Sequence, residues 1–319
     1  MRLKLVPKNT SWNFFSRSKV WIGLSIILVV LSLISFFVQS LNFGIDFRGG
    51  TSIRTESSEP INVAAYRSAL SSLDLGDITI SEVFDPSFEA DQNVAMIRIQ
   101  AQPGQEAATS ILVENSLQNL KGVSEDIKFV SVESVGPKVS GELIKTAIIA
   151  VILAISAVLF YIWIRFEWQF AVGAISALIH DVILTIGIFS LLQIKFDLAI
   201  IAAILTIVGY SLNDTVVVFD RVRENLRKFK KRSLIEVMNL SINETMSRTV
   251  MTSVTTLLAL ISLFVLGGDV IRGFVFAMIW GVVVGTYSSI FIASAILLWT
   301  GVKRDWTKPN AEAGTQVPQ

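Results

Sequence analysis

Residues 198–219 decide the fold class. They read LAIIAAILTIVGYSLNDTVVVF, a run in which Asp214 is the only formally charged side chain. At a rise of ~1.5 Å per residue, ~20 residues cross the ~30 Å hydrocarbon core of a bilayer. Five more stretches are of similar length and nearly free of charge: 20–38, 146–164, 170–192, 250–266 and 273–299. The sequence therefore predicts an α-helical membrane protein with six transmembrane helices.

The composition supports this prediction and excludes several other classes. Of the 319 residues, 52% are apolar and 17% are charged, against about 45–50% and about 25% in soluble domains. The chain has no cysteine and one histidine, which excludes disulfide frameworks, cysteine nucleophiles and zinc–thiolate sites. The 27 basic and 26 acidic residues nearly balance, which argues against a nucleic-acid partner. We expect no covalent catalysis, no metal and no cofactor.

The positions of lysine and arginine predict the orientation, because cytoplasmic loops are rich in both. Basic residues cluster in 2–19, 221–232 and 303–308, whereas the opposite short loops hold only Lys195 and Arg272. Both termini are therefore predicted to be cytoplasmic, and the segment 221–246 to be a basic loop at the lipid headgroups. The predicted boundaries are: N-terminus 1–19, helix 20–40, extracytoplasmic domain 41–138, helices 139–164, 168–192 and 197–220, loop 221–246, helices 247–266 and 272–299, and tail 300–319.

The one large polar segment lies between the first and second crossings. Residues 43–137 carry fourteen acidic and six basic side chains, so this segment is acidic. Alternating apolar residues and three–four spacing predict the order βαββαβ, which suggests a ferredoxin-like antiparallel sheet with two helices on one face. The predicted elements are strand 51–55, helix 62–73, strands 77–84 and 93–100, helix 107–120 and strand 127–135. We expect an α+β binding or structural domain, since no cluster in its sequence has a catalytic pattern.

A glycine-rich motif, GIDFRGGT at 44–51, follows the first crossing. A phosphate-binding loop requires lysine immediately before the Ser/Thr, and this chain has Gly50 there, followed by a predicted strand rather than a helix. We therefore expect a structural motif. Gly49 and Gly50 permit a tight exit from the membrane, and Asp46 and Arg48 are expected to form a local ion pair.

Ionisable groups inside the membrane require an explanation, because each costs at least ~2.5–3.5 kcal/mol at the bilayer centre. Asp214, beside Asn213, lies ~9 Å from the cytoplasmic end of the fourth helix. Arg248 opens the fifth helix and is followed by hydroxyl residues that include Thr252. An Asp214–Arg248 pair is feasible by depth and would bind and release a proton if the arginine moved or water entered. The alternative is a static ion pair that joins two helices.

His180 and Asp181 lie in the middle of the third helix. Adjacent helical residues point about 100° apart, so we expect them not to share a partner. A serine triad with Ser176, one turn earlier, lacks an oxyanion-glycine pattern. A helix-packing contact and a part in a proton path both remain open. Gly281 and Gly285, a GxxxG pair followed by serines at 288 and 289, predict close packing of the sixth helix.

Four motifs together resemble the SecF family, the smaller membrane subunit of the SecD–SecF protein-export factor in the resistance-nodulation-division (RND) superfamily. They are FGIDFRGG at 43–50, ALIHD at 177–181, GYSLNDTVVVFDRVREN at 209–225 and ETMSRT at 244–249. The likeness extends from about residue 11 to residue 302.

The resemblance implies a fold, partners and a role. The fold would be an RND-type half bundle in the bacterial inner membrane. The partners would be SecD, the SecYEG translocon, the SecA-driven preprotein, YajC and YidC. The proton-motive force, or a sodium gradient in some relatives, would promote late stages of preprotein translocation. Asp214 and Arg248 match the carboxylate and arginine that the family uses in proton conduction, while a further acidic residue belongs to SecD. A non-energised adaptor and an RND-type small-molecule exporter are the alternatives.

Overall fold

The computed structural model describes residues 10–302 except 74, 76–77, 84–87, 89–91, 101–105, 119–126 and 136. The predicted N-terminus 1–9, the tail from 303 and the predicted element ends at 77, 84 and 119–120 lie outside the described residues. The first apolar run forms helix α1 (Ser18–Gln39). It ends where Ser40 adopts a positive φ of 57° and donates its backbone N–H to the Phe36 carbonyl. A short strand β1 (Asn42–Phe43) and a single helical turn α2 (Ile45–Arg48) follow.

A small sheet domain follows the first crossing, with the element order βαββαβ. Its elements are β2 (Gly50–Ser57), α3 (Val63–Ser71), β3 (Ile78–Val83), β4 (Asn93–Gln100), α4 (Glu106–Gln118) and β5 (Lys128–Val135). The strands lie in the order β3–β4–β2–β5, and every neighbouring pair is antiparallel.

The alternating apolar residues of these strands build the core of the sheet domain. Ile53 on the central strand lies opposite Ile97, which lies opposite Ile80 on the next strand. Tyr66 of α3 and Val113 of α4 join the same buried cluster. Both helices therefore pack on one face of the sheet.

The rest of the chain forms five further membrane-length segments. They are α5 (Pro137–Arg165), α6 (Trp168–Leu192), α7 (Leu198–Lys228), α8 (Leu234–Leu266) and a composite crossing of α9 (Gly268–Ser288), a π-helical turn (Ser289–Ala293) and α10 (Ser294–Thr300). A two-residue strand β6 (Lys195–Phe196) precedes α7. Among the described residues, six helical segments are long and apolar enough to cross a membrane, which confirms the prediction of six.

The segment predicted as a basic loop, 221–246, is mostly helical. Helix α7 continues to Lys228, and α8 begins at Leu234, where Ser233 and Glu236 form a reciprocal capping box. Val237 and Met238 then enter the buried core. Helix structure extends beyond the apolar runs because the capping box and an apolar stripe are sufficient to start a helix outside the hydrocarbon region.

The crossings divide into inner and outer helices. In α6 and in the α9–α10 crossing, half or more of the apolar part of the helix is buried inside the bundle, and in α7 nearly half is buried. By contrast, α1, α5 and α8 turn most of their apolar side chains outward. Outward apolar side chains are expected where lipid tails replace water as the solvent. We call the end of the bundle where α5 and α7 finish and α8 starts the basic end.

The N-terminal segment is held against the basic end by two asparagines of α8. Asn243 accepts from the Trp12 backbone N–H (2.9 Å) and donates to the Trp12 carbonyl (2.8 Å). Asn239 accepts from the Phe14 backbone N–H at 2.9 Å. The start of α1 and the start of α8 therefore lie on the same side of the bundle.

Candidate functional site

Asp214 is 3% exposed on α7, and its Oδ2 has no hydrogen-bond partner among the described residues. Ser211 lies one turn earlier on the same face of α7. It packs against Gly285 of α9 so closely that a Cβ atom added to this glycine would lie 3.0 Å from the Ser211 Cβ. Asn213, by contrast, is exposed. The carboxyl group of Asp214 is therefore buried in the bundle, and one of its oxygens has no hydrogen bond that would block the binding of a proton.

The predicted Asp214–Arg248 ion pair is not formed. Among the ion pairs between described residues, none joins these two side chains within 4.0 Å. The physical reason is that Asp214 is buried in the bundle whereas Arg248 is exposed on α8. Arg248 is still close enough for its positive charge to act on Asp214. The two groups interact through their charges but are not locked together.

The hydroxyl residues after Arg248 do not bridge the gap. Thr252 donates to the Thr249 carbonyl in its own helix at 2.9 Å. The buried Thr249 hydroxyl has no hydrogen-bond partner among the described residues. Ser253 instead joins α8 to α9 through Thr286, with 2.7 Å between the hydroxyl oxygens.

Asp181 is the centre of a buried polar cluster in the membrane domain. It is 1% exposed, and its Oδ2 accepts from the hydroxyls of Ser211 (2.6 Å) and Ser288 (2.7 Å). Its Oδ1 lies 3.0 Å from His180 Nδ1. One carboxylate thus joins α6, α7 and α9, which are the inner crossings.

His180 and Asp181 share no third hydrogen-bond partner among the described residues, as expected, but they contact each other directly, which the sequence did not predict. Their Cα–Cβ directions diverge by about 100°, but both side chains have rotatable bonds that allow their polar ends to approach each other. Ser176 donates to the Val172 carbonyl at 2.8 Å, so its hydroxyl is satisfied within its own helix and not by His180. Ser176 and His180 therefore form no hydrogen-bonded pair.

His180 also connects the cluster to the outer helix α1. Its ring lies 6.1 Å from that of Tyr287, whose hydroxyl donates to the Trp21 carbonyl and lies 2.8 Å from Ser25 Oγ. His180 Nε2 is buried without a partner among the described residues and lines an apolar cavity of about 290 Å³ beside α1. Sequence reasoning missed Tyr287 and Ser25, although both are polar groups within apolar runs.

The two glycines of the sixth crossing explain why α7 and α9 approach so closely. A Cβ on Gly281 would overlap the side chain of Ile207, and one on Gly285 would touch Ser211. This close approach, predicted from the GxxxG spacing, brings Ser211 and Ser288 to the same carboxylate.

The glycine-rich motif joins the first crossing to the start of α7. Gly49 and Gly50 have positive φ values of 72° and 144°, which favour glycine. Asp46 accepts from the Leu198 backbone N–H at 3.1 Å, whereas Arg48 is exposed and forms none of the ion pairs between described residues. The predicted Asp46–Arg48 pair is therefore wrong. Free N–H groups and the helix dipole at the start of α7 provide a better partner for the carboxylate.

The same junction contains a short parallel pairing. Asn42 and Phe43 of β1 pair with Lys195 and Phe196 of β6, and the Gly44 N–H donates to the Phe196 carbonyl at 2.8 Å. A Cβ on Gly44 would lie 2.9 Å from the Lys195 side chain. The motif therefore fixes the exit of α1, at the base of the sheet domain, to the inner helix that carries Asp214.

Two family models match this chain. Protein export membrane protein SecD/SecF, C-terminal, covers residues 115–303, and the SecD/SecF GG motif covers residues 34–61. The first match spans α5 to α10 and the second contains the Gly49–Gly50 motif.

The chain belongs to the SecF family. A protein translocase subunit SecF from Cereibacter sphaeroides is 59% identical over 315 residues, with 99% of this chain and 97% of the relative covered. One from Vibrio alginolyticus is 41% identical over 298 residues, with 93% and 92% covered. SecF family membership assigns this multi-pass membrane protein an accessory role in protein export.

Solved structures agree with this assignment. A crystal structure of SecDF, a translocon-associated membrane protein from Thermus thermophilus, superposes with a TM-score of 0.79 at 34% identity over 94% of this chain. SecDF in its super-membrane-facing form gives a TM-score of 0.67 at 35% identity. In both cases the SecF-family chain spans only 40% of the longer SecDF chain.

Proposed function

We propose that this SecF-family chain couples ion movement across the bacterial inner membrane to the late stages of preprotein translocation. It would do so with a SecD subunit beside the SecYEG translocon, after the SecA motor, with YajC and YidC as further partners. No cofactor is needed, because the proton gradient supplies the energy. Both termini and the basic end would face the cytoplasm, and the sheet domain would face the periplasm.

One observation carries the proposal: Asp214 is a buried carboxyl group with an unpaired oxygen in the middle of a membrane helix. A buried acidic group without a partner is costly in a membrane, so its presence favours a function in charge transfer. Its oxygen can take up or release a proton without first breaking a hydrogen bond. Arg248 acts on it by charge alone and can change that influence by a small movement.

The same observation weighs against the adaptor alternative. A static adaptor would use Asp214 and Arg248 as a fixed pair between two helices, and no such pair forms within 4.0 Å. The remaining part of the relay would lie in SecD.

A movement of α7 and α8 would reach the sheet domain through the junction at Asp46. This residue joins the glycine-rich motif to the first turn of α7, the helix that carries Asp214. Each charge that crosses ~100 mV releases ~2.3 kcal/mol, which exceeds the free energy of a single hydrogen bond. Protonation at Asp214 could therefore be transmitted through one helix to the far side of the membrane.

The test is proton flux and preprotein export in vesicles that contain this chain and its SecD partner. Asp214→Asn should keep the complex assembled and abolish the part of export that depends on the proton-motive force. The matched control is Glu167→Gln, the same carboxyl-to-amide change at an exposed position that makes no capping hydrogen bond. Wild-type flux and export in the Asp214→Asn complex would refute the proposal. Sodium-dependent flux would keep the site and change the ion.

A further inference from the structure

A polar pocket lies at the basic end, between the last residue of α5 and the last turns of α7. Its volume is about 520 Å³, and it is separate from the Asp214 and Asp181 sites. Four cationic and two acidic side chains line it: Arg165, Asp220, Arg223, Glu224, Arg227 and Lys228.

Both acidic groups of the pocket already have partners. Arg165 donates to the two carboxylate oxygens of Asp220 at 3.1 and 3.4 Å. Glu224 is held at 2.6 Å by Arg221, which is not part of the lining. The acids therefore do not neutralise the remaining cations.

Three cations of the pocket, Arg223, Arg227 and Lys228, form none of the salt bridges between described residues. The charge of Lys228 still acts on the Glu244 carboxylate, so Arg223 and Arg227 are the pocket cations left without an acidic partner among the described residues. Arg223 and Arg227 are four residues apart, so they lie one above the other on α7 and repel each other. Such an arrangement is stable only if solvent or an anion screens the charges. A pocket with this surplus fits an oxyanion such as a phosphate group, which arginine binds through paired N–H groups.

The surface next to the pocket indicates where that phosphate group comes from. On α5, immediately before Arg165, Trp163 and Ile164 are 66% and 70% exposed, and Phe160 and Tyr161 are more than half exposed. Exposed aromatic side chains followed by an arginine are typical of the membrane–water interface. An apolar surface suited to acyl chains therefore lies on α5 immediately before Arg165, which lines the cationic pocket.

We propose that this pocket binds the headgroup of an anionic phospholipid, with its phosphate oxygens at Arg223, Arg227 and Lys228 and its acyl chains along the exposed end of α5. The lipid would join the ends of α5 and α7 where the Arg165–Asp220 pair already connects them. It would thereby stabilise α7, the helix that carries Asp214, without taking part in ion transfer.

The test is lipid retention by the purified full-length chain in native mass spectrometry, titrated with dioleoyl phosphatidylglycerol and separately with dioleoyl phosphatidylcholine. The wild-type chain should retain the phosphatidylglycerol preferentially. Arg223→Gln/Arg227→Gln should bind it roughly thirtyfold more weakly, since each of the two basic residues near an anionic lipid contributes on the order of 1 kcal/mol. Lys230→Gln/Lys231→Gln removes the same charge from the segment between α7 and α8, outside the pocket lining, and should retain the lipid.

A conservative variant and a competition with inorganic phosphate complete the test. Arg227→Lys retains the charge and should keep most of the binding, which would exclude a general loss of folding as the cause. Equal retention of phosphatidylglycerol by both double variants would overturn the proposal. Displacement of the lipid by inorganic phosphate at equal concentration would also overturn it, because the pocket would then be a site for a free oxyanion.

Discussion

Asp181 is expected to be a major source of stability for the inner helices. The change Asp181→Leu keeps the approximate size of the side chain and removes its polar atoms. It breaks the hydrogen bonds from Ser211 at 2.6 Å and Ser288 at 2.7 Å, together with the contact to His180 at 3.0 Å. All three partners lie in the buried interior and would lose their polar contact with this carboxylate.

The magnitude follows from the number of bonds lost. Measured side-chain hydrogen bonds within membranes contribute about 0.6 kcal/mol on average and up to about 1.7 kcal/mol. The two short bonds to the carboxylate, at 2.6 and 2.7 Å, are expected to exceed that average. At about 1 kcal/mol each, these two bonds and the His180 contact give a loss of about 3 kcal/mol in the free energy of unfolding. Ser211→Ala, which removes one of them, should cost about 1 kcal/mol.

The assay is reversible unfolding in mixed micelles with increasing denaturing detergent, followed by helix content. Asp181→Asn is the matched control. Its amide oxygen can still accept from both serines and its amide nitrogen can donate to His180, so it should lose about 1 kcal/mol or less. A double-mutant cycle of Asp181→Leu with Ser211→Ala should give a coupling of about 1 kcal/mol. Zero coupling, or equal losses for the Leu and Asn variants, would refute the reasoning.

Two further predictions concern packing and the glycine-rich motif. Gly281→Val should destabilise the bundle by about 1–3 kcal/mol in the same assay, because its added atoms would overlap the stiff β-branched side chain of Ile207. Wild-type stability of this variant would show that α9 can shift away from α7 without loss, and would contradict the prediction. Asp46→Ala should lower the free energy of unfolding by about 1 kcal/mol, because it removes the acceptor of the Leu198 N–H. Arg48→Ala should lower it by less than about 0.5 kcal/mol. A larger loss for Arg48→Ala than for Asp46→Ala would contradict the finding that Arg48 forms no ion pair with Asp46.

The membrane organisation could be predicted because hydropathy is a property of continuous segments. Six apolar runs correspond to six membrane-length helices, and the alternating residues of the small domain form its strands. The ends of helices were harder to predict. The capping box at Ser233 starts α8 well before Arg248, within a segment whose charges resemble those of a loop.

The candidate site could be predicted only in part. Asp214, His180 and Asp181 stand out because charge is rare in apolar runs, and all three are buried. Their partners could not be predicted. The depth of Asp214 and Arg248 in the membrane makes a pair between them feasible, but depth does not determine which way a helix is rotated about its axis.

The sequence by itself determined how many times the chain crosses the membrane, where the sheet domain is inserted and which ionisable residues lie at membrane depth. These properties follow from local hydrophobicity and from the spacing of residues along single helices. Only the tertiary structure decided that Asp181 accepts hydrogen bonds from hydroxyl groups of two other crossings, while one oxygen of Asp214 has no partner among the described residues. The reason is that hydrogen bonds between crossings depend on helix rotation and on close approach, and here the contact of Gly281 and Gly285 with α7 sets both.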